Sequence, residues 1–547
     1  MRATQRAFNE SYKETSMATQ TIWDQKRIGV VREVDTSNAT VVLDDHLTNL
    51  SLQLNGKAYP IGQIGTYVLV PVGKQVLLGM VSEFKRTGMT QNGSIHRQYD
   101  MLITLVGTVK GGMFERGVST FPTVETPVYL LEDRDLSVAF SVFQRYGFSV
   151  GRLSMFENER AYLDPNRFFG KHLAIVGASG SGKSCSVASI LQKVVGYPDT
   201  NVIIVDLHNE YRSAFPKECQ HLNITELELP FWLMNFQEML EMFVDLGDEN
   251  AATQITVLKD LVFQAKKDQN PELKNALTID TPVYYNLADV RTKLEALNTE
   301  KDGPFAGKFA RFLVQLDTKL NDPRYDFMFK PRLYIHSQTI EELLSKMFGL
   351  DGSTKVTIMD MSGVPFDIVN TIVSLVARLA FDFNFWNVNR REFPILLVFE
   401  EAHNYLSESM EGTRAARRTI ERIAKEGRKY GVSCMIVSQR PSEISETILS
   451  QCNNFVVMRL TNPVDQNYVR RLVADTFPGL ENLLPSLRQG EALFVGDAVP
   501  MPLRVQIDPP KPEPTSADIK FFDKWKMSAS PTDVTDVVRR WWTQERA

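Results

Sequence analysis

Cysteine is scarce: Cys185, Cys219, Cys434 and Cys452 are the only four in a chain of 547 residues. Their scattered positions suit neither a zinc site nor a disulfide framework, so they are expected to be small buried hydrophobes in a reducing compartment. The 7 histidines are dispersed as well. An excess of one charge is also missing, since 61 Lys and Arg against 66 Asp and Glu leave a net charge of −5. No overall basic field advertises nucleic acid, and any such contact has to come from local patches, such as the inside of a ring. No apolar run is long enough to span a bilayer. Residues 1–20, MRATQRAFNESYKETSMATQ, are polar without an apolar stretch, so no secretory signal is expected and a cytoplasmic location follows. With 43% hydrophobic and 23% charged residues the composition is otherwise that of a globular protein of about two to four domains.

Against these absences stand residues 171–184, KHLAIVGASGSGKS. A short apolar strand runs straight into Gly177-Ala178-Ser179-Gly180-Ser181-Gly182-Lys183-Ser184. A helix follows, because Val187, Ile190, Leu191 and Val194 recur at helical spacing. Strand, glycine-rich loop and helix together make a complete phosphate-binding loop. The glycines let backbone amides turn inward to hold an anion, Lys183 reaches the β- and γ-phosphates, and the Ser184 hydroxyl can ligate magnesium. The expected cofactors are ATP and Mg2+, with a contact set running from Gly177 through Ser184 to Cys185.

Beyond a flexible tail over 1–19, residues 20–150 are predicted to be β-rich. RIGVVREVDTSNATVVLDD alternates apolar and polar residues across an expected turn at Ser37-Asn38. Further short strands, punctuated by Gly and Pro, predict a small barrel or sandwich. From 171 the pattern becomes strand–helix alternation, and a nucleotide-binding core is expected over 151–230 and 351–508. NVIIVD, VTIMDMS, ILLVFEE and VSCMIVSQ are apolar runs ending in polar residues, as in parallel strands buried on both faces. Ligands of such sheets bind beyond the carboxyl ends of the strands. Residues 231–350 carry helical periodicity and predict a helical insertion, with a Met and aromatic stripe expected to be core. Residues 509–547 read as a linker, DPPKPEPTS, and an amphipathic helix whose Val537 and Trp541 need a cover. The predicted fold class is α/β: a P-loop core with a helical insertion, preceded by a small β-barrel.

A phosphate loop needs carboxylates for magnesium and for the attacking water. Glu400 and Glu401, at the end of ILLVFEE, supply both: Glu400 for magnesium, Glu401 for the water. Asp is commoner at the first position, and Glu is one methylene longer. Asp206, His208 and Glu210 in VDLHNEY are either further polar groups at the site or turn residues leaving the strand. Gln439 in VSQRP can hydrogen-bond the γ-phosphate or the water and report nucleotide state. The basic run Arg414, Arg417, Arg418, Arg422, Lys425, Arg428 and Lys429 reads mainly as a solvated helix face. Arg428, in a turn off that face, is the candidate to project into a neighbour's site, with Arg440 and Arg422 behind it. Lys171 is another cation able to reach a phosphate across an interface.

The order of these motifs (β-rich N-terminus, GASGSGKS, VDLHNEY, PFWLMNF, VFEEAHNYL, IAKEGRKYGVSCMIVSQRP, GEALFVG and PLRVQI) resembles the HerA-like ATPases of the HerA–FtsK superfamily, over roughly residues 20–508. The resemblance implies a HAS barrel, a RecA-like core and a homohexameric ring. It further implies ATP-driven translocation of double-stranded DNA through the central channel. The site residues it implies are Lys183 and Ser184 on nucleotide and magnesium, Glu401 as catalytic acid, Gln439 as sensor and Arg428 as the trans arginine. Two departures are Glu400, where Asp is commoner, and Lys171, where the family often has Arg. Such proteins usually work with a partner, either a nuclease or, in bacterial antiviral defence, an effector such as a sirtuin-type NAD hydrolase. The alternatives are a non-translocating scaffold that activates such an effector and a secretion-type ATPase.

Overall fold

A computed structural model describes residues 23–543, apart from 48, 55, 92–93, 111–112, 133–134, 136–142, 218, 274, 351, 353, 409–413, 474–479, 516–520 and 527–532. The expected tail over 1–19 lies outside the described residues. The chain divides into two compact units. The first comprises Met1–Ser189, Val437–Ser442 and Leu449–Pro509; the second comprises Ile190–Ile436, Glu443–Ile448 and Pro510–Ala547.

The first unit opens with β1 (Arg27–Val34), β2 (Asn38–Leu43), β3 (Ser51–Leu54), β4 (Lys57–Pro60), β5 (Tyr67–Val72), β6 (Gln75–Gln91), β7 (Ser94–Lys110), β8 (Met113–Arg116) and β9 (Pro127–Leu130). Pairing runs β2-β1-β9-β5-β6-β7, and β2 pairs again with β7, closing a six-stranded antiparallel barrel. Alternation is the cause: Ala39, Val41 and Leu43 on β2 point inward to Val31, Val68, Leu77, Met101, Ile103 and Val128. Register shifts at Val31/Glu33 and Val81/Glu83 bend the long strands so that the ring can close. The first turn comes one residue earlier than the pattern suggested. Asp35 Oδ1 accepts the Ser37 N–H at 3.3 Å, and Asn38 already opens β2.

The core strands continue in chain order as β10 (Ser149–Leu153), β11 (Phe156–Tyr162), β12 (Leu173–Val176), β13 (Val202–Asp206), β14 (Cys219–Asn223) and β15 (Val356–Asp360). They end with β16 (Ile395–Phe399), β17 (Val432–Ser438), β18 (Asn454–Met458), β19 (Glu491–Gly496) and β20 (Leu503–Ile507). In the first unit the order is β11-β10-β20-β19-β18-β12, antiparallel except for the parallel pair β12–β18. The barrel is tied to these strands by Arg116 Nη2, which donates to Gly496 O at 3.0 Å, and by the Tyr67 hydroxyl on Pro502 O.

In the second unit β17-β16-β13-β15-β14 run parallel. β13, β15 and β16 are buried along their whole length, as their apolar runs require. β14 is a strand the sequence pattern did not reveal: it is an edge strand, and Gln220, His221 and Asn223 break any apolar run. Between β14 and β15 lies the helical insertion. Its helix α2 (Phe236–Phe243), which follows α1 (Lys183–Gln192) in the labelling, starts with a capping box of Asn235 and Glu238 and buries Met239, Met242 and Phe243. The Met stripe is core. Helices α3 (Val369–Trp386) and α4 (Arg414–Glu426) cover the sheet, and α4 buries Ala415, Ala416, Ile420, Ile423 and Ala424. Its opposite face exposes Arg414, Arg418, Arg422 and Lys425, the solvated stripe expected. Arg378 of α3 forks onto Glu238 at 3.0 and 3.1 Å, joining insertion to core through a buried ion pair.

The closing helix α5 (Val534–Thr543) buries none of its residues, so the described chain does not supply the cover its apolar face calls for. None of the four cysteines forms a disulfide. Cys434 and Cys452 are buried as expected, whereas Cys185, at the start of α1, and Cys219, on the edge strand, are only half-buried. No helix among the described residues is long and apolar enough to cross a membrane.

Glu491 of β19 is wholly buried and receives Arg504 Nε at 2.7 Å. Burial alone would raise its carboxyl, but Arg504 and the Arg488 N–H bring it down from 4.5 to about 2. The stability it contributes is complete above pH 4.5 and is lost as pH falls toward about 2. Glu491→Gln should therefore be clearly less stable than wild type in urea at pH 7 and converge with it near about pH 2. A gap of constant size across that range would mean that the ion pair is not its source.

Candidate functional site

In the first unit, the four buried residues of β12 deliver the chain to Gly177. The Gly177 N–H donates to Ser438 O at 3.2 Å and the Ala178 N–H to Arg459 O at 2.7 Å, anchoring the loop against the ends of β17 and β18. A Cβ on Gly177 would lie 2.7 Å from Ser181 Oγ and 2.8 Å from the Met458 Cβ, so only glycine fits. Gly182 adopts φ +96°, a left-handed conformation that turns the following amides toward the loop interior. Ser181 donates its N–H to Ala178 O at 3.2 Å and accepts the Gly490 N–H at 2.9 Å, while its buried Oγ has no hydrogen-bond partner. Ser179 and Gly180 form the exposed tip.

Lys183 opens α1 and is 5% exposed; its Nζ donates to Ala178 O at 3.3 Å, bringing the ammonium across the loop. Ser184 and Cys185 follow, both half-buried, in the first turn of the helix. An inward-facing nest, a helix N-terminus and a lysine folded over them form a receptor for a polyphosphate. Gln439 follows directly on Ser438, whose carbonyl receives the Gly177 N–H, so it lies beside this loop; Arg440 is exposed. Lys171 is different. Its Nζ is 2.6 Å from Asp497 Oδ2, and it precedes β12, with the length of the strand, about 13 Å, between it and the loop. Lys171, with burial opposing it, holds the Asp497 carboxyl below its usual range.

In the second unit the acids stand at the carboxyl ends of β13 and β16. Glu400 is 2% exposed; its Oε2 accepts the Tyr211 hydroxyl at 2.8 Å, and its main-chain O accepts the Tyr405 hydroxyl at 2.7 Å. Burial and then the Glu400 charge push the Tyr211 phenol well above its ordinary value, so it is a donor. Glu401 is 7% exposed at φ +46°, and its Oε2 is 3.3 Å from His403 Nδ1. Left-handed backbone at a glutamate is costly and is typical of functional turns, where it aims two neighbouring side chains apart.

Asp206 is wholly buried and accepts the His208 N–H at 3.2 Å and the Tyr211 N–H at 3.0 Å. Burial raises its carboxyl against the pull of these N–H groups. Asp206 thus caps the turn that carries His208, Glu210 and Tyr211, the turn-residue alternative weighed for this motif. Tyr211 and Tyr405 were missed by sequence reasoning. Each follows a strand-end acid, Asp206 or Glu400, by 5 residues, a signal that could have found them.

Arg428 is exposed in the 3-10 turn Gly427–Tyr430 that precedes β17. β16 and β17 are parallel with Ile395 opposite Val432, so Arg428 stands at the amino ends and Glu400 at the carboxyl ends, about 16 Å along the strands. The fold does not bring Arg428 to the acids of its own chain. Arg422 lies over the Phe381 ring at 4.7 Å and 3.6 Å from Glu426.

Because Gly182 needs positive φ and a Cβ there would sit 3.2 Å from Gly490 N, Gly182→Ala should weaken nucleotide binding about tenfold or more while leaving the thermal transition within a few degrees. Equal affinity for a fluorescent nucleotide would remove the loop from the site.

Residues 148–380 match the family model described as the central domain of helicase HerA. The chain is 29% identical over 429 residues to the DNA double-strand break repair helicase HerA of Sulfolobus acidocaldarius, covering 77% of this chain and 80% of that one. To the protein of the same name from Saccharolobus solfataricus it is 27% identical over 492 residues, covering 85% and 91%. Among solved structures, VirB4 of Thermoanaerobacter pseudethanolicus aligns with a TM-score of 0.49 at 17% identity, over 66% of this chain and 96% of that chain. With its phosphate loop, its strand-end acids and its closed N-terminal barrel, the chain is similar over most of its length to the HerA helicases.

Proposed function

We propose that this protein is a Mg2+-dependent ATP-driven motor that works as a homohexameric ring and translocates double-stranded DNA through its centre. The observation that carries the reading is that one chain holds both a complete phosphate loop, Gly177–Ser184, and two consecutive buried acids, Glu400 and Glu401. Lys183 neutralises the β- and γ-phosphates, and Ser184 and Glu400 hold the magnesium. Glu401 polarises the attacking water, and Gln439 senses the γ-phosphate. Magnesium supplies charge neutralisation at the transferred group when bound. Asp206 serves this site through the turn that it caps.

Arg428 is the proposed arginine supplied in trans. Its distance from the acids of its own chain supports that role. Lys171 is the second such cation, restrained by Asp497. The DNA substrate is supported by the names of the HerA relatives. The ring is proposed to work with a separate effector protein, either a nuclease or an NAD hydrolase of antiviral defence.

Lys183→Ala should lower ATP turnover about a hundredfold or more and leave the ring intact by light scattering; near-normal turnover would reject the site. Arg428→Ala should be equally crippled yet regain activity in mixed rings with Glu401→Gln subunits. Absence of complementation would remove the trans role. Long duplex DNA should stimulate turnover at low salt and cease to do so at high salt. Indifference to DNA, with a stable complex to an effector, would replace the motor by a scaffold.

A further inference from the structure

Glu400 stands where Asp is the commoner residue, and the extra methylene gives its carboxylate another freely rotating bond. A metal ligand needs its orientation set in advance, and each unrestrained side-chain torsion weakens that preorganisation. The structure contains a device that removes the added freedom. Tyr211, 189 residues away in sequence and wholly buried, donates its hydroxyl to Glu400 Oε2 at 2.8 Å. The backbone around Tyr211 is held on both sides. Its N–H is taken by Asp206 and its carbonyl accepts the Ala214 N–H at 3.0 Å.

The segment after β20 then lies along the outside of the same turn. Gln192 clamps it, accepting the Lys511 N–H and donating to Pro512 O, each at 2.8 Å, while its amide also donates to Ala214 O at 2.9 Å. Ser213 Oγ donates to Glu513 O at 2.8 Å, and the Thr515 N–H donates to Glu210 O at 2.8 Å. A turn pinned from within by Asp206 and from without by residues 511–515 has no slack to let the phenol follow a wandering carboxylate. Tyr405 restrains the same acid from its backbone.

We propose that Tyr211 is a positioning residue for ATP hydrolysis: by occupying Oε2 it sets the plane of the Glu400 carboxylate that is to meet the magnesium. The proposal rests on the reading of Glu400 given under the proposed function. In this role Tyr211 acts through Glu400, the acceptor of its hydroxyl.

The test is Tyr211→Phe in the full chain, which keeps the buried ring and removes only the hydroxyl. Steady-state ATP turnover is titrated with Mg2+, and nucleotide affinity and the melting temperature are measured alongside. The expected result is a kcat about tenfold lower and a Mg2+ half-saturation several-fold higher, with nucleotide affinity near wild type. In a Glu400→Asp background, where the shorter side chain has lost both the extra torsion and the reach to the phenol, the same change should cost less than about twofold. Wild-type kcat and Mg2+ dependence in Tyr211→Phe would overturn the proposal. So would a lowered kcat with unchanged Mg2+ dependence and the full penalty in the Asp background. Lys183→Ala run in parallel separates the two levels: if it too leaves turnover unchanged, it is the nucleotide-site reading that fails.

Discussion

A parallel strand covered on both faces has no room for an ionised side chain along its length, and this constraint sets where chemistry can occur in this protein. β13, β15 and β16 are buried from end to end, so their carboxylates are pushed to the carboxyl tips: Asp206, Asp360 and Glu400. The same logic sends β12 out of the core at Gly177 and ends β17 at Ser438. The glycine-rich loop is the solution available at such a tip, because backbone amides can face an anion there without any side chain intervening.

Charges that remain inside are answered one by one, and each answer joins distant parts of the chain. Glu238 in the insertion is met by Arg378 on α3, and Glu491 on β19 by Arg504 on β20. Asp206 is met by the N–H groups of its own turn, and Glu400 by a tyrosine from that turn. A buried carboxylate without such partners would be protonated or expelled. Glu238 and Glu491 are held by full ion pairs, whereas Asp206 is held by N–H groups and Glu400 receives a phenol.

Much of this was legible in the chain. The loop from Gly177 to Ser184 could be read residue by residue, because its chemistry depends on residue type at fixed local spacing. The apolar runs at 201–206, 356–362, 395–401 and 432–439 identified buried strands, and the solvated face of α4 followed from helical periodicity. What failed to show has a common cause. β14 was invisible because an edge strand tolerates polar residues, and its assignment depends on a neighbour, β15, far away in sequence. Lys171 could not be known to pair with Asp497, 326 residues on.

The sequence by itself therefore determined the identities that local backbone geometry and short-range spacing demand: the phosphate nest, the strand-end acids, the barrel alternation and the helical insertion. Tertiary structure alone decided which tyrosine restrains Glu400, which cation is already paired, and that Arg428 stands at the opposite end of its strands from the acids of its own chain. The physical reason is that such contacts are fixed by strand order and register. Those emerge from packing the whole core at once, and no local stretch of residues encodes them.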